Sequence, residues 1–186
     1  IKLGASDIAD VYVDEIIIAF DPTASFGIDA NDASKMWNSE PAMPNFYSAL
    51  GPIATPYQIN VLPMLDDTTI YITLGLSVVI SGNYHIRMIE ELGFPAGSEV
   101  TLIDSTLHIH TDMLGASPDY TFYMANNNCS GTQPQCIGRF YLKIYYPSST
   151  PGVKTKTIQS APYCIGQNIS INYTATGTFD PANVFT

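Results

Sequence analysis

The chain of 186 residues carries seventeen acidic and seven basic side chains, which give a formal net charge of −10, and only 13% of its residues are charged. Such a length suits one or two domains with a self-sufficient core. The acidic balance argues against nucleic acid, whose phosphates require a Lys/Arg-rich face, and against anionic membrane surfaces. The longest mostly apolar stretch, residues 70–80, is shorter than the roughly 20 residues of a spanning helix, so no membrane insertion is expected.

Short runs rich in Ile, Val, Thr, Tyr and Phe recur between clusters of Pro, Gly, Asn and Asp, with almost no helical pattern. Two runs alternate clearly, since the odd and even positions of 84–89 and of 140–145 differ in polarity. The pattern predicts an all-β fold, an antiparallel jelly-roll-like β-sandwich. The predicted strands are residues 15–20, 58–62, 69–80, 84–89, 99–102, 107–111, 119–124 and 137–145.

The most particular segment runs from Asp14 to Trp37. An Asp-Glu pair precedes the apolar run 16–20, which ends at Asp-Pro, and a loop of small residues leads to an Asp-Ala-Ser-Lys turn at 32–35. Asp29 or Asn31 is predicted to cap one short helical turn there. In this order the motifs resemble a β-sandwich module found near the C-terminal end of large surface proteins exported by type IX secretion. Further segments that resemble this module are residues 46–48, 58–63, 72–76, 82–86, 100–104, 120–122 and 139–142.

The resemblance implies a non-enzymatic structural or adhesion module, gliding- or adhesin-like, of a secreted protein at the extracellular cell surface. Such a module spaces other modules or assembles into surface fibres, so its implied partners are neighbouring modules or copies of the same protein. Residues 1–150 are assigned to the sandwich. A segment with two prolines, a glycine and three hydroxyl residues at 146–152 predicts a stiff linker. The strands at 154–160 and 168–175 resemble the opening of an immunoglobulin-like surface repeat, so 151–186 is read as linker and incomplete module.

The end of the chain predicts an unpaired amphipathic strand. Ile169, Ile171 and Tyr173 alternate with polar residues, and two or three strands cannot bury a core alone. These residues are therefore candidates for strand donation to a neighbouring subunit's sheet, which would build a filament. The alternative is a longer polypeptide of which this chain is a mature or excised piece.

Three cysteines are too few for a disulfide scaffold. Cys129 and Cys136 bracket a polar loop between two strand-like runs, and a disulfide closing that loop would stabilise the fold by roughly 2–3 kcal/mol. Two free thiols or part of a metal site are the alternatives, but no second Cys/His pair has zinc-finger spacing. Cys164 is either a buried small hydrophobe or half of a pair whose partner lies elsewhere.

The histidines are weak metal candidates. His108 and His110 are two apart in a predicted strand, so both would point to one face, with Asp104 and Asp112 nearby in sequence. No motif places a third and fourth ligand, and two polar residues on a solvent face explain the pattern, so no metal site is assigned. His85 has no acid–base partner in sequence and is interpreted as a surface strand residue.

Asp21, Asp29 and Asp32 in the first loop could hold calcium weakly through carboxylate and carbonyl oxygens. The alternating-Asp spacing of an EF-hand loop is absent, and turn or cap roles explain these residues equally well. No other cofactor is expected. GxSxG, HExxH, P-loop and GxGxxG motifs are also missing, so the chain is predicted not to be an enzyme.

The alternative function is a carbohydrate-binding module that recognises surface polysaccharide. Trp37, Tyr47 and Tyr57 lie in predicted loops and could form a platform on which sugar rings stack. The competing interpretation places Trp37 as a cap on the core beneath the first loop.

Two hydroxyl residues are candidates for O-glycosylation. Asp67-Thr68-Thr69 and Asp104-Ser105-Thr106 resemble the three-residue pattern used by bacteria of this export class, which points to Thr68 and Ser105. A three-residue pattern of this kind is also typical of Asx- and ST-turns, so both roles stay open for each segment.

Overall fold

The computed structural model describes residues 1–50, 55–65, 67–116, 118–127, 136–147, 152–155 and 173–176. These residues contain thirteen strands and no α-helix, which confirms the predicted all-β class. Within the same ranges, the chain has no helix of the length and hydropathy required to cross a membrane.

The strand boundaries agree with most of the sequence prediction and add two strands before residue 51, at Lys2–Asp7 and Ala33–Ser34, whereas the strand at Asn45–Leu50 contains the segment 46–48 that the resemblance implies as a strand. Strand β6 stops at Ser77 instead of residue 80, and β9 starts at Ile109 instead of residue 107. The strands are β1 (Lys2–Asp7), β2 (Val13–Phe20), β3 (Ala33–Ser34), β4 (Asn45–Leu50), β5 (Thr55–Leu62), β6 (Thr68–Ser77), β7 (Gly82–Glu90), β8 (Glu99–Asp104), β9 (Ile109–Asp112), β10 (Asp119–Met124), β11 (Phe140–Tyr146), β12 (Gly152–Thr155) and β13 (Tyr173–Thr176).

Eleven strands form one sheet in the order β10-β7-β1-β2-β5-β4-β6-β11-β8-β9, with β3 paired to β5. All neighbours are antiparallel except β2 and β5, which run parallel from Ile17 opposite Ile59 to Phe20 opposite Leu62. A parallel pair needs a long connection between its strands, and the segment through β3 and β4 supplies it. The sheet is therefore mixed and not purely antiparallel as predicted.

The sheet folds over one hydrophobic core. Phe122 of β10 and Phe140 of β11 are far apart in the strand order, yet their ring centroids are 4.7 Å apart. The two ends of the sheet order therefore face each other across the interior, as in a sandwich. Burial alternates along β8, β10 and β11, and the alternation was predicted for β11. Fully buried members of the core include Leu3, Ile16, Ile18, Phe46, Leu62, Ile72, Leu74, Leu76, Ile86, Leu142 and Ile144.

Strands β12 and β13 form a separate antiparallel pair, with Gly152 opposite Thr176 and Thr155 opposite Tyr173. They overlap the two strands predicted in the second module. Most of that module, including Cys164, Ile169 and Ile171, lies outside the described residues. The domain boundary at residue 150 stays a prediction.

Tyr47 of β4 lies directly opposite Gly75 of β6, and its buried ring covers the glycine. A Cβ atom at position 75 would overlap the Cζ and Cε2 atoms of Tyr47. Trp37 packs edge-on against the same ring at a centroid distance of 5.5 Å. The ring of Tyr47 therefore occupies the space that a side chain at position 75 would fill.

We expect Gly75→Ala to lower the free energy of unfolding by about 1–3 kcal/mol, because overpacking a filled core forces side chains off their preferred rotamers. Gly82→Ala in β7 is the matched control, since the nearest atom to its added Cβ is 4.0 Å away. The control should change stability by less than about 0.5 kcal/mol. Urea denaturation of both variants measures the difference, and equal stabilities would contradict the packing argument.

Candidate functional site

A cluster of polar side chains lies on the outer face of strands β1, β7 and β10. Ser6, Asp10, His85, Arg87 and Asp119 form this Asp10 cluster. His85 Nε2 lies 2.6 Å from the hydroxyl of Ser6 and 2.9 Å from Asp10 Oδ1, and its Nδ1 lies 3.0 Å from Asp119 Oδ1. Arg87 donates to Asp10 Oδ2 at 2.5 Å. His85 is buried between two carboxylates, so its interpretation as a surface residue without acid–base partners is wrong.

The Asp10 cluster places a serine, a histidine and an aspartate in the order found in nucleophilic hydrolases. Two features prevent that chemistry in this fold. The hydroxyl of Ser6 donates its proton to Asp10 Oδ1 at 2.6 Å, whereas a nucleophilic serine must give its proton to the histidine. Ser6 is also only 1% exposed, so a substrate cannot reach its Oγ atom.

Asp10 holds the β1–β2 loop onto the sheet. The residue adopts a left-handed conformation, with φ of 57°, and its hydrogen bonds with Ser6, His85 and Arg87 all run from the loop to strands. Hydrogen bonds from Ser6 and then His85 lower the pKa of Asp10 to about 2, so its charge persists in mild acid. The described geometry therefore supports a structural role for the cluster.

A second cluster closes the sandwich where β10 faces β11. Asp104, Tyr120, Phe122, Arg139 and Phe140 form this Asp104 cluster. Asp104 Oδ2 accepts hydrogen bonds from the Tyr120 hydroxyl at 2.9 Å and from Arg139 Nη2 at 2.7 Å. The guanidinium of Arg139 lies 4.9 and 4.8 Å from the ring centroids of Phe122 and Phe140. The cluster therefore joins β8, β10 and the start of β11 through one buried carboxylate.

Burial acts to raise the pKa of Asp104, but hydrogen bonds from Arg139, Tyr120 and the backbone of Leu107 outweigh it and hold that pKa below its usual range. Burial together with the hydrogen bond to Asp104 raises the pKa of Tyr120 to about 12. The pair therefore stays in one protonation state, an ionised carboxylate and a neutral phenol, across the physiological range.

The residues predicted around Asp104 are not brought together as a metal site. His108 lies in the turn after β8 with φ of 56°, and His110 lies in β9 opposite Ile103, so the two do not share a strand face. Asp104 is buried against Arg139, and Asp112 Oδ1 accepts from the backbone of Leu114. No group of three or more potential ligands capable of holding a metal occurs in the part of the chain that the structure describes.

Asp14 and Lys35, two residues on which the family resemblance rests, form a buried ion pair. Lys35 Nζ lies 2.5 Å from Asp14 Oδ2, and both side chains are buried. The same carboxylate oxygen accepts from the backbone of Phe46 at 2.7 Å, and Lys35 also donates to Gln58 Oε1 at 2.8 Å. Burial lowers the pKa of Lys35, and its hydrogen bond to Asp14 opposes that shift. The pair fixes the loop between β2 and β4 to the sheet.

The acidic residues of the first loop serve the backbone. Asp21 accepts from the backbone and hydroxyl of Thr23, Asp29 from the backbone of Ser25 and Asn31, and Asp32 from the backbone of Asp29 and Val61. These contacts form turns, so the helical turn predicted near Asp29 is wrong. Hydrogen bonds from these partners lower the pKa values of Asp21 and Asp29. The weak calcium site stays a prediction. The carboxylates of Asp21, Asp29 and Asp32 already accept hydrogen bonds from the protein.

The aromatic platform predicted from Trp37, Tyr47 and Tyr57 does not form. Tyr47 and Tyr57 are buried, Tyr47 in a small cluster with Ala49 and Cys136, and only Trp37 of the three is exposed. Burial raises the pKa of Tyr47 to about 12, and its hydroxyl has no hydrogen-bond partner among the described residues. Two of the three predicted stacking residues are therefore unavailable to a ligand.

An apolar cavity of about 330 Å³ lies at the end of the sandwich where β2 and β11 stop. Three aromatic rings meet in its wall, with centroid distances of 6.3 Å between Phe20 and Phe94 and 5.8 Å from Tyr146 to each. Met64 and Leu92 complete the exposed part of the lining. The cavity contains no side chain of the two polar clusters, so it offers shape without catalytic chemistry.

The modification candidates differ in access. Thr68 begins β6 and is exposed, whereas Ser105 is half-buried and its hydroxyl donates to the carbonyl of Gly138 at 2.8 Å. Cys136 is buried against Tyr47 and Ala49, and Cys129 lies outside the described residues. Glycans at Thr68 and Ser105 and the Cys129–Cys136 disulfide stay predictions.

Sequence reasoning missed the Asp10 cluster because its members are far apart in the chain. Ser6 and His85 are 79 positions apart, and Asp119 is 34 positions from His85. The available signal was the alternation of 84–89, which placed His85 and Arg87 on one face of a strand. Nothing local identified β1 as the neighbour of that face.

We expect Asp104→Asn to reduce the free energy of unfolding by about 3–5 kcal/mol, because it leaves the charge of Arg139 without its buried partner. Glu99→Gln is the control, since it removes an exposed ion pair with Lys143 and should cost less than about 1 kcal/mol. Asp104 has a lowered pKa when folded, so its contribution is present above the unfolded value of about 3.9 and is lost as pH falls through the folded value. Denaturant titrations at several pH values should therefore show less acid sensitivity in Asp104→Asn, and equal costs for the two variants would contradict this role.

A fluorophosphonate probe should not label Ser6 in the folded chain, because its Oγ is buried and its proton is held by Asp10. Mass spectrometry of the treated protein measures the adduct, with an active serine hydrolase in the same tube as the positive control. An adduct on Ser6 that disappears in His85→Ala would show that the Asp10 cluster is catalytic.

Comparisons with known proteins do not assign the chain. No protein-family model matches it, and neither a curated protein nor a solved structure is significantly similar to it. The resemblance to the type IX module therefore stays a prediction, and the function is argued from the contacts described above.

Proposed function

We propose that the chain is a non-enzymatic structural or adhesion module of a secreted cell-surface protein. The observation that carries this proposal is that the buried acidic and basic groups of the chain bond one another. Asp14 bonds Lys35, Asp104 bonds Arg139, and His85 lies between Asp10 and Asp119. Each of these groups holds a loop or a strand in place. None of these side chains lines the apolar cavity between Phe20, Phe94 and Tyr146.

The polar clusters join segments that are distant in the chain. The Asp10 cluster connects the β1–β2 loop with β7 and β10, and the Asp104 cluster connects β8 with β10 and β11. Opening one loop therefore breaks contacts in several strands, which makes local unfolding costly. Resistance to local unfolding protects a module from proteases outside the cell, where a spacer or adhesin must persist.

Composition supports an extracellular setting. The low content of charged residues and the net charge of −10 leave a surface of hydroxyl, amide and tyrosine side chains. O-glycosylation and a Cys129–Cys136 disulfide belong to the same proposal, because both are typical of exported proteins. Exposure favours Thr68 over Ser105 as a glycan site, since Thr68 is exposed and Ser105 is half-buried.

Neighbouring modules or copies of the same protein are the proposed partners. Tyr173 is paired with Thr155 of its own chain, so this end of the candidate donor strand is occupied in cis. Among the described residues β12 and β13 pair only with each other, and a strand edge without a partner can accept a strand from a neighbour. Assembly through this pair is therefore proposed as edge pairing, with Ile169 and Ile171 outside the described residues.

The proposal predicts that antibodies raised against the chain label intact, unpermeabilised cells of the organism that produces it. Brief protease treatment of those cells should release a stable fragment containing residues 1–147, because the clusters suppress local unfolding. A cytoplasmic protein of the same cells serves as the control and should stay unlabelled. Labelling only after permeabilisation would contradict the surface location, and rapid loss of the fragment would contradict the structural role.

A further inference from the structure

The outer face of strands β6, β11 and β8 carries tyrosines instead of the charged side chains that cover the opposite outer face. Tyr71 of β6 lies opposite Lys143 of β11, and Tyr141 and Tyr145 flank that lysine on the same side of the strand. Tyr71 is 61% exposed. We call Tyr71, Tyr141, Lys143 and Tyr145 the tyrosine face.

The tyrosine face carries no excess positive charge. The ammonium of Lys143 is paired with Glu99 of β8 at 2.8 Å, which cancels the one cation. The hydroxyl of Tyr145 donates to Asp67 Oδ1 at 2.7 Å, which fixes the orientation of this ring. A ring that is already immobile loses little conformational entropy on binding.

The spacing of the rings suits an extended ligand. Tyr141 and Tyr145 are four residues apart on one strand, a distance of about 13 Å at 3.3 Å per residue. Tyr71 lies one strand to the side and between them, within reach of a diagonal neighbour. The three rings therefore cover more than the length of one sugar ring on a flat surface.

We propose that the tyrosine face binds a neutral polysaccharide. Aromatic faces pack against the apolar faces of sugar rings, and the phenol hydroxyls at the rim can bond sugar hydroxyls. The protein's charge of −10 repels a polyanion, and the single paired lysine gives no anion-binding patch. Thr69 and Thr73 of β6 and Thr101 of β8 lie beside the tyrosines and Lys143, and this polar setting disfavours an apolar protein partner.

This inference goes beyond the spacing role in the proposed function, since a spacer needs no ligand, and it names a ligand class for the adhesion role. It also replaces the residues predicted for sugar stacking, because Tyr47 and Tyr57 are buried while Tyr71 is exposed. The site thus lies on a rigid sheet and not in the loop around Trp37.

Native gel electrophoresis of the full chain in gels containing soluble β-glucan, xylan or galactomannan tests the site. At least one of these polymers should retard the wild-type protein, and Tyr71→Ala should weaken that retardation about tenfold in affinity. Tyr123→Ala is the matched control, because Tyr123 is also 61% exposed but lies on β10, on the opposite outer face. Tyr71→Phe should keep binding, since it retains the ring.

Absence of retardation by all three polymers would overturn the proposal, as would an equal loss in Tyr71→Ala and Tyr123→Ala. Retardation by polygalacturonate alone would show an ionic interaction and overturn it too. A dimer seen by analytical ultracentrifugation that Tyr71→Ala abolishes would assign the face to a second copy instead. None of these results depends on where the protein is located, so failure here leaves the surface-module proposal to its own test.

Discussion

Asp104 is a carboxylate at a position where water cannot solvate it, and a charge in such a position destabilises the fold unless other groups replace the water. Arg139 supplies the opposite charge, Tyr120 supplies a hydroxyl, and the backbone of Thr106 and Leu107 supplies two further donors to the second oxygen. These donors come from three parts of the chain that meet only when β10 lies over β11. The requirement to satisfy one buried charge therefore specifies how the two ends of the sheet close on each other.

The position of the β8–β9 hairpin follows from the same constraint. Asp104 is the last residue of β8, and the two backbone N–H groups that donate to its Oδ1 belong to the turn that leads into β9. Since β8 is also hydrogen-bonded to β11 along its whole length, fixing the turn fixes the register of Thr101 and Lys143 on the outer face. The Asp104 cluster and the tyrosine face consequently lie on opposite sides of the same strands. A substitution in the Asp104 cluster is therefore expected to disturb the tyrosine face.

Strands that alternate cleanly could be predicted from sequence, whereas strands made of small residues could not. β10 was predicted with its exact ends, and the alternation predicted for residues 140–145 agrees with the burial of Phe140, Leu142 and Ile144 in β11. β1 was not predicted because most of its side chains are small and it includes Gly4. The side chains of Ile89 and Val13 from neighbouring strands fill the space beside this glycine. The interpretation of His85 failed for a related reason, since its partners are supplied by β1 and β10, which only the tertiary fold brings beside it.

The two outer faces of the sandwich divide the polar groups between them. On the side of β1, β7 and β10, two carboxylates, a guanidinium and an imidazole are hydrogen-bonded to one another around Asp10, and a ligand would have to displace these bonds to interact. On the side of β6, β11 and β8, one ion pair leaves the phenol rings of Tyr71 and Tyr141 without competing charges. Displacing satisfied charge-assisted hydrogen bonds is costly, while covering an exposed aromatic ring is favourable. The same physical chemistry that makes the first face a stabilising surface therefore favours the second face as the place where we propose recognition.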